Sequence, residues 1–223
     1  ATLTSPTLDA TYQKGEVVAT LKKTEATISN QDFIIEGTAQ LRPENLGTLR
    51  ADINASSSLA DITLQGQNGQ LAFEAKRQDQ YPFDIQGNID ILQNAVDFSG
   101  TLMDANVRGT ASLQEALSAD ILLEHGDEAL SVTVTGTPQD PELNAKGSLP
   151  ADVLEPILNI PLSGSLQVDI TRRAGEFSGS ANLEGTVNDI PVDLELIGQG
   201  NSLALEGTAT PLGQELELSG AID

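Results

Sequence analysis

The chain has 223 residues, a formal net charge of -22 and no cysteine. That length can bury a sizeable core in one large domain or two smaller ones. The acidity excludes the basic patch that phosphate recognition needs, so nucleic acid is not an expected partner, and it opposes docking on an anionic bilayer. The missing cysteine excludes a disulfide framework, thiolate zinc sites and thiol catalysis.

Basic residues are few and uneven. Seven lie at or before Arg77, and only Lys146, Arg172 and Arg173 follow Arg108. The adjacent ones, Lys22-Lys23, Lys76-Arg77 and Arg172-Arg173, are only pairs. No apolar run approaches the roughly 20 residues of a membrane-spanning helix. The chain opens on Ala1 and ends within a strand pattern, so it reads as a segment of something longer or a processed product.

In chain order, Leu8, Ala10 and Tyr12 alternate in Thr7 to Tyr12, and Gly15 turns into a strand over Glu16 to Leu21. A separate short strand is expected around Ala26 and Ile28. Phe33, Ile35, Gly37, Ala39 and Leu41 share a face and stop at Pro43; Leu49 to Ala55, Ile62 to Leu64, and Leu71 to Ala75 follow. Further strands run through Phe83 to Ile91, Val96 to Leu102, Val107 to Leu113, Leu117 to Leu123, Leu130 to Gly136 and Leu143 to Leu149. Apolar residues at every second position place one apolar face on each strand. One strand about every 8–12 residues is the spacing of an all-β array.

Pro150 to Pro161 breaks the pattern. Val153, Leu154, Ile157 and Leu158 have helical spacing, opened by Ser148 or Pro150. Pro156 argues that Glu155 is not helical, leaving at most two short turns. The segmentation expected is therefore a β-array over 1–149, a helical insertion over 150–162 and a C-terminal meander over 163–223, all of which could form one continuous domain.

The meander is the most regular part. Its apolar positions are Leu166, Val168 and Ile170; Phe177 and Leu183; Val192, Leu194 and Leu196; Leu203 and Leu205; and Leu216 and Leu218. Gly179, Gly198, Gly207 and Gly220 fall in phase with them, on the apolar side. Glycine within a strand marks a bend or a close approach. Aromatics, the usual filling of a core, are only 3% of the chain and tryptophan is absent. The expected fold is all-β, an antiparallel meander curled into an elongated trough with an apolar groove; a closed β-sandwich is the alternative. The leucines, isoleucine, valines and Phe177 named here are the expected groove lining. The four glycines give curvature or room.

Catalytic signatures are missing. Asp193, Glu195, Glu206 and Glu217 alternate with apolar residues and so form a solvated face. His125, the only histidine, sits in a Gly/Asp turn and is expected at the surface; no metal-ligand spacing surrounds it. No cofactor, metal or catalytic residue is expected.

The runs Leu162-Ser163-Gly164-Ser165-Leu166, Phe177 to Val187, Ile190 to Gly198, Leu203 to Gly207 and Leu216 to Gly220 resemble the TamB/AsmA-like bacterial envelope proteins (translocation and assembly module). Leu149 to Leu154 looks like the short helical insertions of that group. The resemblance is strongest from Gly147 to Asp223; earlier residues match in style alone. It implies a β-taco fold, a sheet folded around a hydrophobic groove. It also implies a periplasmic, inner-membrane-anchored parent that conducts phospholipid between inner and outer membranes or assists outer-membrane β-barrel assembly. The partners implied are phospholipid or another acyl-chain lipid, an outer-membrane β-barrel and neighbouring segments of the parent. Two rival readings are a scaffold that templates barrel strands by β-augmentation and an adhesin-type surface β-sandwich without a groove.

Overall fold

The computed structural model describes residues 2–4, 8–28, 31–57, 60–77, 82–114, 116–158 and 160–222. They form two compact units, Ala1–Gly100 and Thr101–Asp223. The first holds β1 (Thr2–Thr4), β2 (Leu8–Gln13), β3 (Glu16–Ile28), β4 (Gln31–Arg42), β5 (Asn45–Ser56), β6 (Ala60–Gln67), β7 (Gln70–Arg77) and β8 (Phe83–Asp90), with β9 (Ala95–Leu102) running across the junction. The second holds β10 (Ala105–Leu113), β11 (Leu117–His125), β12 (Glu128–Gly136), β13 (Pro141–Pro150), a 3-10 turn (Ala151–Leu154), α1 (Glu155–Leu158), β14 (Leu162–Arg173), β15 (Glu176–Val187), β16 (Ile190–Gln199), β17 (Ser202–Ala209) and β18 (Leu216–Ile222).

The protein is all-β, an antiparallel meander that is not closed into a barrel. β1 and β2 lie end to end along the same side of β3; from β2 to β8 in the first unit and from β10 to β18 in the second, strands pair with their sequence neighbours. Short hairpins suffice for this because antiparallel neighbours need no crossover. Thr7, at the start of the first expected strand, lies outside the described residues.

In the first unit, register aligns the apolar positions into rows that cross the sheet. Leu21, Gly37, Ile53, Leu64, Phe73 and Gly87 make one row; Thr24, Ile35, Ala55, Ile62, Ala75 and Ile85 make the next. The two strands expected over Glu16 to Leu21 and around Ala26 are one strand, β3. Leu21 pairs with Gly37 and Thr24 with Ile35, so Lys22 and Lys23 form a bulge. The extra residue reverses the in-out phase, which is why the alternation seems to restart. Thr24 thereby occupies an apolar row, 1% exposed.

The opposite face is polar. Lys146 bonds Asp169 directly across β13 and β14 at 2.8 Å, and Lys22 bonds Asp9 at the same distance. Ser163 pairs with Thr186 at 2.8 Å and Thr171 with Ser178 at 2.6 Å. The ion pairs are well exposed, so solvent screens them and they contribute little to stability.

The helical insertion lies inside the second unit. Contrary to the expectation from Pro156, Glu155 is helical, at φ -52° and ψ -43°. Pro156 falls in the first turn of α1, where a backbone N–H has no intrahelical partner to lose. The Ile157 side chain lies outside the described set.

Candidate functional site

No group of three or more His, Asp or Glu side chains is placed to hold a metal among the described residues. His125 is half-buried at the end of β11, paired with Glu128 across a hairpin. The clear pKa shifts lie on the polar face. Hydrogen bonds from Lys22 to Asp9, from Lys76 to Glu74 and from Lys146 to Asp169 hold these ammonium groups above their ordinary value. What remains as a candidate site is the apolar face of the second unit.

Register makes that face a grid. Leu149, Leu166, Leu183, Leu194, Gly207 and Leu218 stand opposite one another across six strands. The neighbouring row is Leu123, Leu130, Gly147, Val168, Ala181, Leu196, Leu205 and Gly220. Val192 belongs to the row Gly164, Gly185, Val192, Ala209 and Leu216. Ile170 faces Gly179, Leu203 faces Gly198, and Phe177 faces Arg172. All twelve expected lining residues thus share one face of β14–β18.

Burial divides the grid. Leu123, Leu130, Leu149, Leu162 and Ile170 are buried. Leu166, Val168, Leu183, Leu194, Leu196, Leu203 and Leu205 are half-exposed, Leu218 is 37% exposed and Leu216 50%. Leu149 and Leu162 flank the insertion, whereas Ile170 lies toward the other end of β14. The 3-10 turn of the insertion packs on β14. Leu149 is 0% exposed, and Ala151 and Val153 are 1%. Glu155 holds the segment shut by accepting a hydrogen bond from the Leu162 N–H at 2.7 Å. The Pro161 carbonyl accepts one from the Asn188 N–H at 3.0 Å, tying the same end to the β15–β16 turn.

The in-phase glycines divide too. A Cβ on Gly207 would meet the Asp193 carbonyl oxygen and lie 2.9 Å from the Leu194 Cα. Gly179 and Gly198 are likewise pressed by backbone of the adjacent strand, from Asp169 and Ser178. A pleated neighbour at ordinary spacing would hold its Cα much farther away. At these three positions the space that a side chain would take is filled by backbone of the adjacent strand. Gly220 differs, with nothing within 4 Å of such a Cβ.

Arg172 is the residue that the sequence reading passed over. It continues the alternation Leu166, Val168, Ile170 and so lies on the apolar face, between Leu143 and Phe177. Its guanidinium lies 5.7 Å from the Phe177 ring centroid, donates from Nη1 to the Pro141 carbonyl and stands 3.4 Å from Asp140 Oδ1. The signal was present in the period-two phase, two residues after Ile170.

No family model, curated protein or solved structure matches the chain. Among the described residues no helix is long and apolar enough to cross a membrane.

Proposed function

We propose that the chain is a non-catalytic segment of an envelope-spanning periplasmic protein that holds lipid acyl chains along the apolar face of its sheet. In this reading it conducts phospholipid between inner and outer membranes, and its parent is anchored in the inner membrane. One observation supports it above the others: aliphatic rows across β14–β17 that are half-exposed and backed by a polar face. Covering such a row with an acyl chain gains roughly 0.8 kcal/mol per methylene buried. No polar contact is needed along the tail, so discrimination among tails is weak, as a conduit requires.

Native mass spectrometry of the purified chain, with organic extraction of anything retained, tests the reading. Phospholipid or fatty acid adducts are expected, and Leu205→Asp should remove them while far-UV circular dichroism stays that of a β-protein. A mass that does not change after incubation with phospholipid would overturn the proposal. Transfer is tested separately, by following a fluorescent phospholipid between donor and acceptor vesicles with and without the protein.

A further inference from the structure

At one end of the second unit β14 and β16 begin and β15 and β17 stop. Three separate segments there carry exposed apolar side chains. They are Leu158 in the helical insertion, Ile190 at the β15–β16 turn and Leu212 in a 3-10 turn, Pro211–Gly213, between β17 and β18. Backbone bonds hold these segments. The Asn188 N–H donates to the Pro161 carbonyl, the Thr210 N–H donates to the Pro191 carbonyl at 2.8 Å, and the Gln214 N–H closes the last turn on the Pro211 carbonyl at 3.0 Å.

Leu212 is the decisive residue. It is fully exposed, and its backbone is left-handed, at φ +53° and ψ +27°. Glycine or asparagine adopts that conformation at less cost, and a leucine there gains no burial within its unit. Leu92, exposed on a hairpin turn of the first unit, differs, because it lies over Gly47 and Gly69 of the neighbouring hairpins. A strained leucine that covers nothing in its own unit, with two more exposed apolar side chains at the same end, marks a surface for an outside partner.

The chemistry of this end selects a bilayer. The apolar groups sit on separate turns, as tips, and tips sink into a fluid apolar layer without needing a complementary surface. Exposed Asp152, Asp189 and Glu215 belong to the same three segments, and no lysine or arginine follows Arg173. These carboxylates oppose anionic lipid and suit the outward ammonium of a zwitterionic headgroup. From Ile190 the apolar phase continues along β16 through Val192, Leu194 and Leu196, all half-exposed.

We propose that this end of the second unit docks on a zwitterionic phospholipid bilayer with Leu212 and Ile190 inserted, and that acyl chains enter the apolar rows here. The docking stands on the exposed tips; the entry point rests on the lipid-binding reading.

The chain has no tryptophan, so Leu212→Trp places a single reporter at the tip. Its emission should shift to the blue when phosphatidylcholine vesicles are added to the intact chain. Leu113→Trp, at an exposed position on the opposite end of the unit, should not shift. Leu212→Asn suits the left-handed backbone, so it should fold normally and lower co-flotation with the same vesicles about tenfold. Its phospholipid adducts in native mass spectrometry should persist. Replacing half of the phosphatidylcholine with phosphatidylglycerol should weaken flotation of the native chain at low ionic strength. Equal shifts from the two tryptophan variants, a Leu212→Asn chain that floats as the native one does, or a native chain that carries lipid adducts yet does not float, overturns the docking and leaves lipid binding intact. A native oligomer that Leu212→Asn dissociates in the absence of vesicles would assign the tip to a second copy of the chain and overturn the bilayer. A native chain that neither floats nor carries lipid overturns both readings.

Discussion

Gly207 stands directly opposite Leu194, and the backbone of β16 leans so far over it that a methyl group on Gly207 would lie 2.9 Å from the Leu194 Cα. Its φ of +151° is one that residues with a side chain rarely adopt. Gly207→Ala should therefore cost about 1–3 kcal/mol, through backbone strain and the close approach at this position. Gly220, in the same phase on β18, meets nothing within 4 Å, and Gly220→Ala should stay within about 0.5 kcal/mol of the parent. Urea unfolding of the two variants measures the contrast directly. Equal effects would mean that the glycines are interchangeable and that the close approach at Gly207 carries no cost of its own.

Thr24 offers an opposite expectation. Its Oγ1 is buried without a hydrogen-bond partner, in a row otherwise made of Ile35, Ala55, Ile62, Ala75 and Ile85. A buried hydroxyl without a partner costs about 1–3 kcal/mol. Thr24→Val keeps the β-branched shape and removes that cost, so it should raise the unfolding free energy. Thr24→Ser keeps the hydroxyl and loses a methyl, so it should lower it. Thermal unfolding of both variants separates the polar effect from the packing effect.

Leu149 and Leu194 share one cross-sheet row but not one environment. Leu149 is 0% exposed beneath the insertion, while Leu194 is half-exposed. Leu149→Ala should cost about 2–5 kcal/mol, the range for emptying a core site. Leu194→Ala should cost less than about 1.5 kcal/mol and act mainly on lipid retention. Chemical denaturation beside native mass spectrometry reads both consequences.

The alternation of apolar residues made the strands, their phase and the shared face of Leu166 through Leu218 legible, because period two is a property of the backbone alone. Which leucines are buried was not legible. That depends on where the Ala151–Leu154 turn folds back, and nothing local to Leu149 distinguishes it from Leu194. The bulge at Lys22 and Lys23 hid for a related reason: an inserted residue resets the phase and imitates a chain break. Arg172 was legible in principle, since its phase matches Ile170. The role of Gly207 needed coordinates. A missing side chain in sequence marks a vacancy without saying whether a guest or a neighbouring strand occupies it.

The polar face carries the last expectation. Glu184 stands opposite Asp193, and Glu195 opposite Glu206, so like charges meet directly across β15–β16 and β16–β17. Such pairs destabilise a sheet, and the net charge of -22 adds a general repulsion. Glu206→Lys turns one repulsive pair into an attractive one and should stabilise the chain by about 0.5–1 kcal/mol at low ionic strength. Salt should do part of the same work in the parent, because the screening length falls to about 10 Å at 0.1 M. The melting temperature of the native chain should accordingly rise with sodium chloride, and that of Glu206→Lys should rise less. Parallel salt dependences in the two proteins would show that the repulsion is spread over the whole acidic surface and is not concentrated in the ladder that includes Glu195 and Glu206.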